Sequence, residues 1–393
     1  MPKNNPTRRK FVKVASLGAL GLALPNPFVQ TKPKEFMVYV GTYTSGKSEG
    51  IYLYRLNVAT GALSPVSVKE GIKNPSFLAL DRPRRHLYAV NEVADFGGKP
   101  GGAVGAFAVD GKTGSLTLLN QQPTLGDGPC HVVVDAGGKF VVVANYGGGS
   151  VTVFPIGPDG SLGASSDHVQ HQGSSVNPAR QEKPHAHNVV LDPANRYLFV
   201  SDLGLDKVMI YRFDASTGKL TPNQTPWFQT KPGAGPRHFT FHPKGRFAFV
   251  INELDSTVTS LAYDPAKGIL KEVQTLSTLP KGVTSGNNAC ADVHVSPDGK
   301  FLYGSNRGHD SIVVYAIDGR TGKLTYVENA STQGKTPRNF TIDPTGTLLL
   351  AANQATDTVV TFRINQQTGK LTPTGQVAEV PTPVCLQVVP MFG

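Results

Sequence analysis

FTIDPTGTLLLAAN, residues 340–353, decides the fold. It reads as a short strand, a turn opened by Asp343 and Pro344, and a second strand that stops at Asn353. The glycine of the turn supplies the positive φ that a tight reversal needs. VHVSPDGKFLYGSN (293–306) and FTFHPKGRFAFVIN (239–252) repeat the same grammar. After each hairpin comes a third strand and then a turn of the TGxL kind. That turn recurs along the whole chain: TGAL at Thr60, TGSL at Thr113, DGSL at Asp159, TGKL at Thr217, KGIL at Lys267, and TGKL at Thr321 and Thr368. The leucines, at 63, 116, 162, 220, 270, 324 and 371, stand 46 to 58 residues apart. A period of this length, filled with short strands, is that of propeller blades with four strands each.

The repeats are not quite equal. The first unit, FMVYVGTYT from Phe36, lacks an opening strand, while the chain ends on a surplus one, VCLQVV (384–389). Pairing the last strand beside the first closes the ring and removes the open edges. The expected fold class is therefore all-β. It is one seven-bladed β-propeller over residues 35–393, with four antiparallel strands per blade and the C-terminal strand joining the N-terminal blade. Length alone would permit two or three domains, but a two-domain α/β arrangement needs helical periodicity, and none of useful length is present.

Composition agrees. Charged residues make up only 17%, and 43 glycines and 30 prolines suit a chain dominated by turns and strands. The formal charge of +10 is concentrated at one end: residues 1–34 hold seven Lys/Arg and no acid, which leaves +3 for the remainder. So weak and scattered a charge excludes a nucleic-acid footprint. TRRKFVK (7–13) leads into the uncharged run VASLGALGLAL, which is too short to span a bilayer. Residues 1–34 are thus expected to be an export signal and linker. Arg8 and Arg9 before Phe11 fit the twin-arginine pattern, a receptor-read address. The protein should be periplasmic or extracytoplasmic, an uncleaved anchor being the rival, and no stable membrane insertion is expected downstream. Cys130, Cys290 and Cys385 are too few for a disulfide scaffold and read as small buried residues.

Registering the blades on one another isolates the functional candidates. Just before the innermost strand stand Ser76, Cys130, His187, Arg237, Ala291, Arg338 and Val384. The second strand ends in Asn91, Asn145, Asp202, Asn252, Asn306 or Asn353, with Gly41 in the first blade. The next position holds Thr42, Glu92, Tyr146, Leu203, Glu253, Arg307 and Gln354. An antiparallel hairpin brings these sets to one face of the disc, near the axis. Side-chain amides bonding their own turn account for most of the Asn ring. The charged departures from the repeat are more informative, because a blade needs no charge there.

Two connections are enlarged: 22 residues separate Leu162 from Pro184, and 20 separate Leu270 from Cys290. Both lead onto the same face and are expected to wall a pocket. The first carries Asn177, Arg180 and Gln181 towards His185 and His187, while His168 and His171 are expected to be solvated. The candidate substrate-binding residues are Arg307, His185, Arg180, Arg338 and Asp202. Arginines at a funnel mouth suit oxygen-rich or anionic ligands, and a histidine can move a proton to or from water near neutral pH. No G-x-S-x-G, P-loop or zinc-spaced C-x-x-C occurs. No metal or cofactor is expected.

VGTYTSGKSEGIYLY, ANYGGGSVTVFPI, NPARQEKPHAHNVVLDP, SDLGLDKVMIYRFD, GPRHFTFHPKGRFAFVINEL, SPDGKFLYGSNRGHDSI and PRNFTIDPTGTLLLAANQ together resemble the seven-bladed propeller lactonases, the family of the propeller-type bacterial 6-phosphogluconolactonases. The resemblance covers residues 36–393. It implies a cofactor-independent hydrolase that opens a sugar lactone, and it places the family's active-site groups on His187, Arg237, Glu253 and Arg307. A branch of the family resembles fungal carboxymuconate cyclases, which close lactones. The expected mechanism has His187, assisted by Glu253, activating water while Arg237 and Arg307 stabilise the oxyanion. Because phosphogluconolactone is cytoplasmic, the export signal points to unphosphorylated aldonolactones. A carboxymuconate-lactonising lyase and a non-catalytic ligand-binding propeller remain the alternatives. The expected partner is a small-molecule lactone, and the expected state a monomer or weak dimer.

Overall fold

The computed structural model describes residues 34–284 and 286–392. The proposed export signal, apart from Lys34, lies outside them. Seven four-stranded antiparallel sheets make up the described residues, together with a small hairpin of Asp95–Phe96 and Lys99–Pro100 and two single 3-10 turns, Leu203–Leu205 and Gln354–Thr356. The first blade orders its strands Leu63–Glu70, Gly50–Asn57, Glu35–Thr42 and Pro383–Pro390. Its inner strand therefore comes from the C-terminus, with Val38 opposite Val388 and Val40 opposite Leu386. This is the closure that the missing and surplus strands predict. No helix among the described residues is long and apolar enough to cross a membrane.

Each of the seven TGxL-type turns places its glycine at positive φ, from 66° at Gly268 to 86° at Gly160, a region that costs glycine nothing. The same glycines set the spacing between blades. A Cβ on Gly218 would lie 2.5 Å from the Phe140 ring, one on Gly268 2.5 Å from Tyr197, and one on Gly322 2.5 Å from Phe247. In each case the ring belongs to the preceding blade. Apolar clusters such as Val142, Ala144, Val153, Val189, Leu198 and Val200 fill the space between neighbouring sheets.

The asparagines that end the second strands do more than cap their own turns. Asn91 donates to Lys73 O at 2.9 Å, Asn145 to Thr124 O at 3.2 Å, Asn306 to Thr278 O at 3.0 Å and Asn353 to Thr332 O at 3.1 Å. Each acceptor lies on the segment entering that blade from the one before. The ring is structural, as expected, but it stitches blade to blade.

Candidate active site

The inner strands carry a bulge at their first turn. The register shifts between Pro129 and His131, Ala186 and Asn188, Pro236 and His238, Cys290 and Val293, and Pro337 and Asn339. The extra residues are Cys130, His187, Arg237 and Arg338, with Ala291 and Asp292 in the sixth blade. A bulge leaves its residue unpaired and re-aims the side chain. The candidates placed just before the strand thus sit inside it, and with Val384, left unpaired between Pro383 and Cys385 in the first blade, six blades use one irregularity to turn side chains towards the axis.

Two connected hollows result. The outer one, about 160 Å³, is lined by Glu92, Cys130, Tyr146, Arg180, His187, Glu253, Arg307 and Arg338. A narrower chamber of about 10 Å³ shares Glu92, Cys130, His187 and Arg338 with it and adds Ser76, Phe77, Arg237, His238 and Val384. Aromatic rings border the narrow chamber. Phe77, His131 and His238, from three different blades, meet with ring centroids 4.0, 5.5 and 5.9 Å apart. A larger hollow of about 410 Å³ lies between turns of the second and third blades, lined by Asp81, Arg82, His86 and Gly138 among others, and shares no residue with this site.

Glu253 organises the outer pocket. Its Oε1 accepts from Arg180 Nη2 at 2.5 Å, and its Oε2 accepts from Arg237 Nε at 2.9 Å and Arg307 Nη2 at 2.7 Å. Burial alone would push this carboxyl up, but Arg307, Arg237 and Arg180 bring it down to about 2. Arg237, 1% exposed, also donates from Nη1 to Ala291 O at 2.5 Å. Burial and then the like charges of Arg307 and Arg338 push its guanidinium down, to about 9, so it remains the charged partner of Glu253 at neutral pH. Arg338 differs. Among the described residues it makes no ion pair and no hydrogen bond, and its guanidinium lies over the Tyr43 ring at 5.4 Å. Tyr43, Glu92 and Glu253 together outweigh its burial and raise its pKa.

His187 is 5% exposed and borders both hollows. Its Nδ1 stands 3.8 Å from Cys130 Sγ, and its ring packs edge-on to Tyr146 and His238 at 5.2 and 5.3 Å. Burial, followed by the charges of Arg237, His238 and Arg338, holds the imidazole well below its ordinary pKa. It is a neutral base at pH 7. Glu253 does not reach it.

Arg180 arrives on the first enlarged connection, as expected, whereas none of the described residues of the second lines the pocket. His185 and Asp202 stand behind the pocket. His185 stacks on Tyr146 at 4.6 Å, between Tyr146 O and Glu182 Oε1, each 3.1 Å away. Asp202 accepts from His185 N at 2.8 Å and from Leu205 N at 3.2 Å. Gln181 donates to Leu203 O at 2.8 Å. The solvated reading of His171 is overturned: it is 3% exposed, with Nδ1 2.6 Å from Asp202 Oδ2. His168 lies on the outer strand Asp167–Gln170, its Nδ1 2.9 Å from Thr152 Oγ1. The polar stretch between Leu162 and Pro184 thus contains a blade strand and a buried anchor. The three cysteines are free and buried, and Cys130 additionally lines the pocket.

A family model described as "Lactonase, 7-bladed beta-propeller" matches residues 37–388. The chain belongs to this lactonase family. It is 40% identical over 309 residues to the 6-phosphogluconolactonase of Bacillus subtilis (strain 168), spanning 79% of this chain and 85% of the relative. The 6-phosphogluconolactonase of Formosa agariphila is 35% identical over 78% of this chain and 86% of its own. Among solved structures, the periplasmic gluconolactonase of Pseudomonas aeruginosa superimposes with a TM-score of 0.85 at 37% identity, over 91% of this chain and 99% of that one.

In this lactonase-family site, sequence reasoning left Glu92, Tyr43, Ser76 and Tyr146 unassigned. Glu92 accepts from Tyr43 Oη at 2.9 Å and from the Ser76 hydroxyl. Glu92 and Tyr146 occupy the register position of Glu253 and Arg307, so that register was the available signal. A backbone constraint also holds the site. A Cβ on Gly204 would lie 1.9 Å from Lys183 O and 2.9 Å from His185 N. Gly204→Ala is expected to cost roughly 1–3 kcal/mol by overpacking and to lower lactone turnover by shifting the segment behind Arg180. A melting temperature and kcat/KM equal to those of the parent protein would refute this.

Proposed function

We propose that the chain hydrolyses an aldonolactone, the internal ester of a sugar acid, outside the cytoplasm. His187 draws a proton from water, and the water oxygen attacks the ring carbonyl carbon. Arg338 and Arg307 take up the charge that develops on the carbonyl oxygen. The ring C–O bond then breaks, and the leaving oxygen recovers the proton from His187. Glu253, with both oxygens engaged, serves by fixing Arg180, Arg237 and Arg307 rather than by meeting water. Arg237 supports from beneath.

The observation that carries this reading is the Arg338 guanidinium, unpartnered among the described residues and lining the same pocket as a neutral histidine. Family membership, the activity named for the two curated relatives, and the periplasmic gluconolactonase named for the P. aeruginosa neighbour support it. Export through the twin-arginine route rests on Arg8, Arg9 and the apolar run that follows them. In that compartment an unphosphorylated ring is the substrate we favour.

The test is a panel of δ-gluconolactone, its 6-phosphate and a carboxymuconate, each measured against the spontaneous reaction. We expect accelerated opening of δ-gluconolactone. Turnover of the 6-phosphate alone would remove the unphosphorylated substrate, and lactone formation from carboxymuconate alone would reassign the chain to lyase chemistry.

A further inference from the structure

Beneath His187 lies a second histidine that the mechanism above does not use. His238 is 5% exposed and follows Arg237 on the bulged strand. Its Nδ1 donates to Asp292 Oδ1 at 2.7 Å. Its Nε2 is buried and has no hydrogen-bond partner among the described residues. Asp292 also holds Asn339 Nδ2 at 2.5 Å and His294 Nε2 at 3.0 Å, both through Oδ2. The carboxylate is kept ionised, well below its usual range, because His294 and His238 outweigh the effect of burial. Burial and the charge of Arg237 depress His238 itself, to about 4, so its ring is neutral and Nε2 carries a lone pair.

Both rings border the narrow chamber, with centroids 5.3 Å apart. Its volume of about 10 Å³ is near the minimum for one water molecule, about 10–15 Å³. Glu92 and Ser76 supply further polar groups. His187 needs such a neighbour. An imidazolium there would face Arg237 and Arg338 with no carboxylate hydrogen-bonded to it, because Glu253 is engaged by three arginines and Glu92 by Tyr43 and Ser76.

We propose that one water in this chamber joins His187 to the His238–Asp292 pair, which receives the proton during lactone opening. This rests on the lactonase reading. When one nitrogen of His187 takes a proton from the attacking water, the other passes its own to the chamber water. That water gives a proton to His238 Nε2, and the resulting imidazolium is stabilised by Asp292 through Nδ1–H. When the ring C–O bond breaks, the chain runs backwards and the leaving oxygen takes its proton from His187. No proton is gained or lost beyond the hydrolysis itself. His238 acts through His187, so it is a positioning and relay group rather than a catalytic residue.

His238→Gln should lower kcat about 100-fold and leave KM for δ-gluconolactone essentially unchanged. Asp292→Asn should do the same by favouring the wrong tautomer, and the double variant should be no slower than either single one. In mixtures of light and heavy water the wild-type rate should follow a bowed dependence on deuterium fraction, since several protons move together, and that of His238→Gln a straight line. A straight line for the wild type, which needs no variant to fold, would overturn the relay. So would a folded His238→Gln protein that keeps the parent kcat, and in either case the lactonase reading stands. A wild type that opens no lactone overturns both.

Discussion

Glu253→Gln is expected to cost about 3–5 kcal/mol of folding stability and to abolish most turnover. Glutamine keeps the shape but removes the only charge among the described residues bonded directly to Arg237, which is 1% exposed, and presents an amide donor to three guanidinium groups. Breaking a buried pair from one side leaves the other charge without compensation. The effect should depend on pH. The folded carboxyl sits at about 2 against an ordinary 4.5, so the folded state holds its proton less tightly than the unfolded chain. The stabilisation is therefore complete above about pH 4.5 and is lost as the pH falls through about 2. Denaturant titrations of the two proteins should converge over that range. A gap below about 1 kcal/mol at neutral pH, the size of an exposed ion pair, or a gap indifferent to pH would count against it.

His187→Gln should leave the fold intact and reduce lactone opening by about 10²–10⁴-fold, the usual contribution of a general base. Its side-chain polar contact within the protein is with Cys130 Sγ at 3.8 Å, so little stability depends on it. KM should change less than kcat, because Arg338 and Arg307 remain to hold the substrate. An unchanged rate above the spontaneous background in folded protein would remove His187 from the mechanism.

The seven-fold repeat, the closing strand and the shared face of His187, Arg237, Glu253, Arg307 and Arg338 are all legible in the sequence, because hairpin register is a matter of counting turns. What the register could not supply is the bulge. Adjacent strand residues normally point to opposite faces, so Arg237 at the mouth argues against His238 there, and Ala291 against Asp292. One inserted residue per strand lets consecutive side chains approach the axis, and the deeper polar layer goes unnoticed without it. Asp202 and His185 lie outside the pocket lining for another reason. Register places a residue at the right height but does not say whether its side chain meets solvent or the neighbouring loop. Asp202 is consumed by two backbone amides and His171. His171 could not be found by pattern, since its partner lies 31 residues away across a connection without periodicity.

The packing of the Phe77, His131 and His238 rings has a kinetic corollary. With those rings bordering the chamber and Arg180 the most exposed of the three arginines bound to Glu253, arrivals and departures should pass by Arg180. A newly made sugar acid carries a carboxylate into a vestibule of guanidinium groups, so it should linger and compete with the incoming ring. Flux would then be governed by how readily salt or solvent coaxes the acid out.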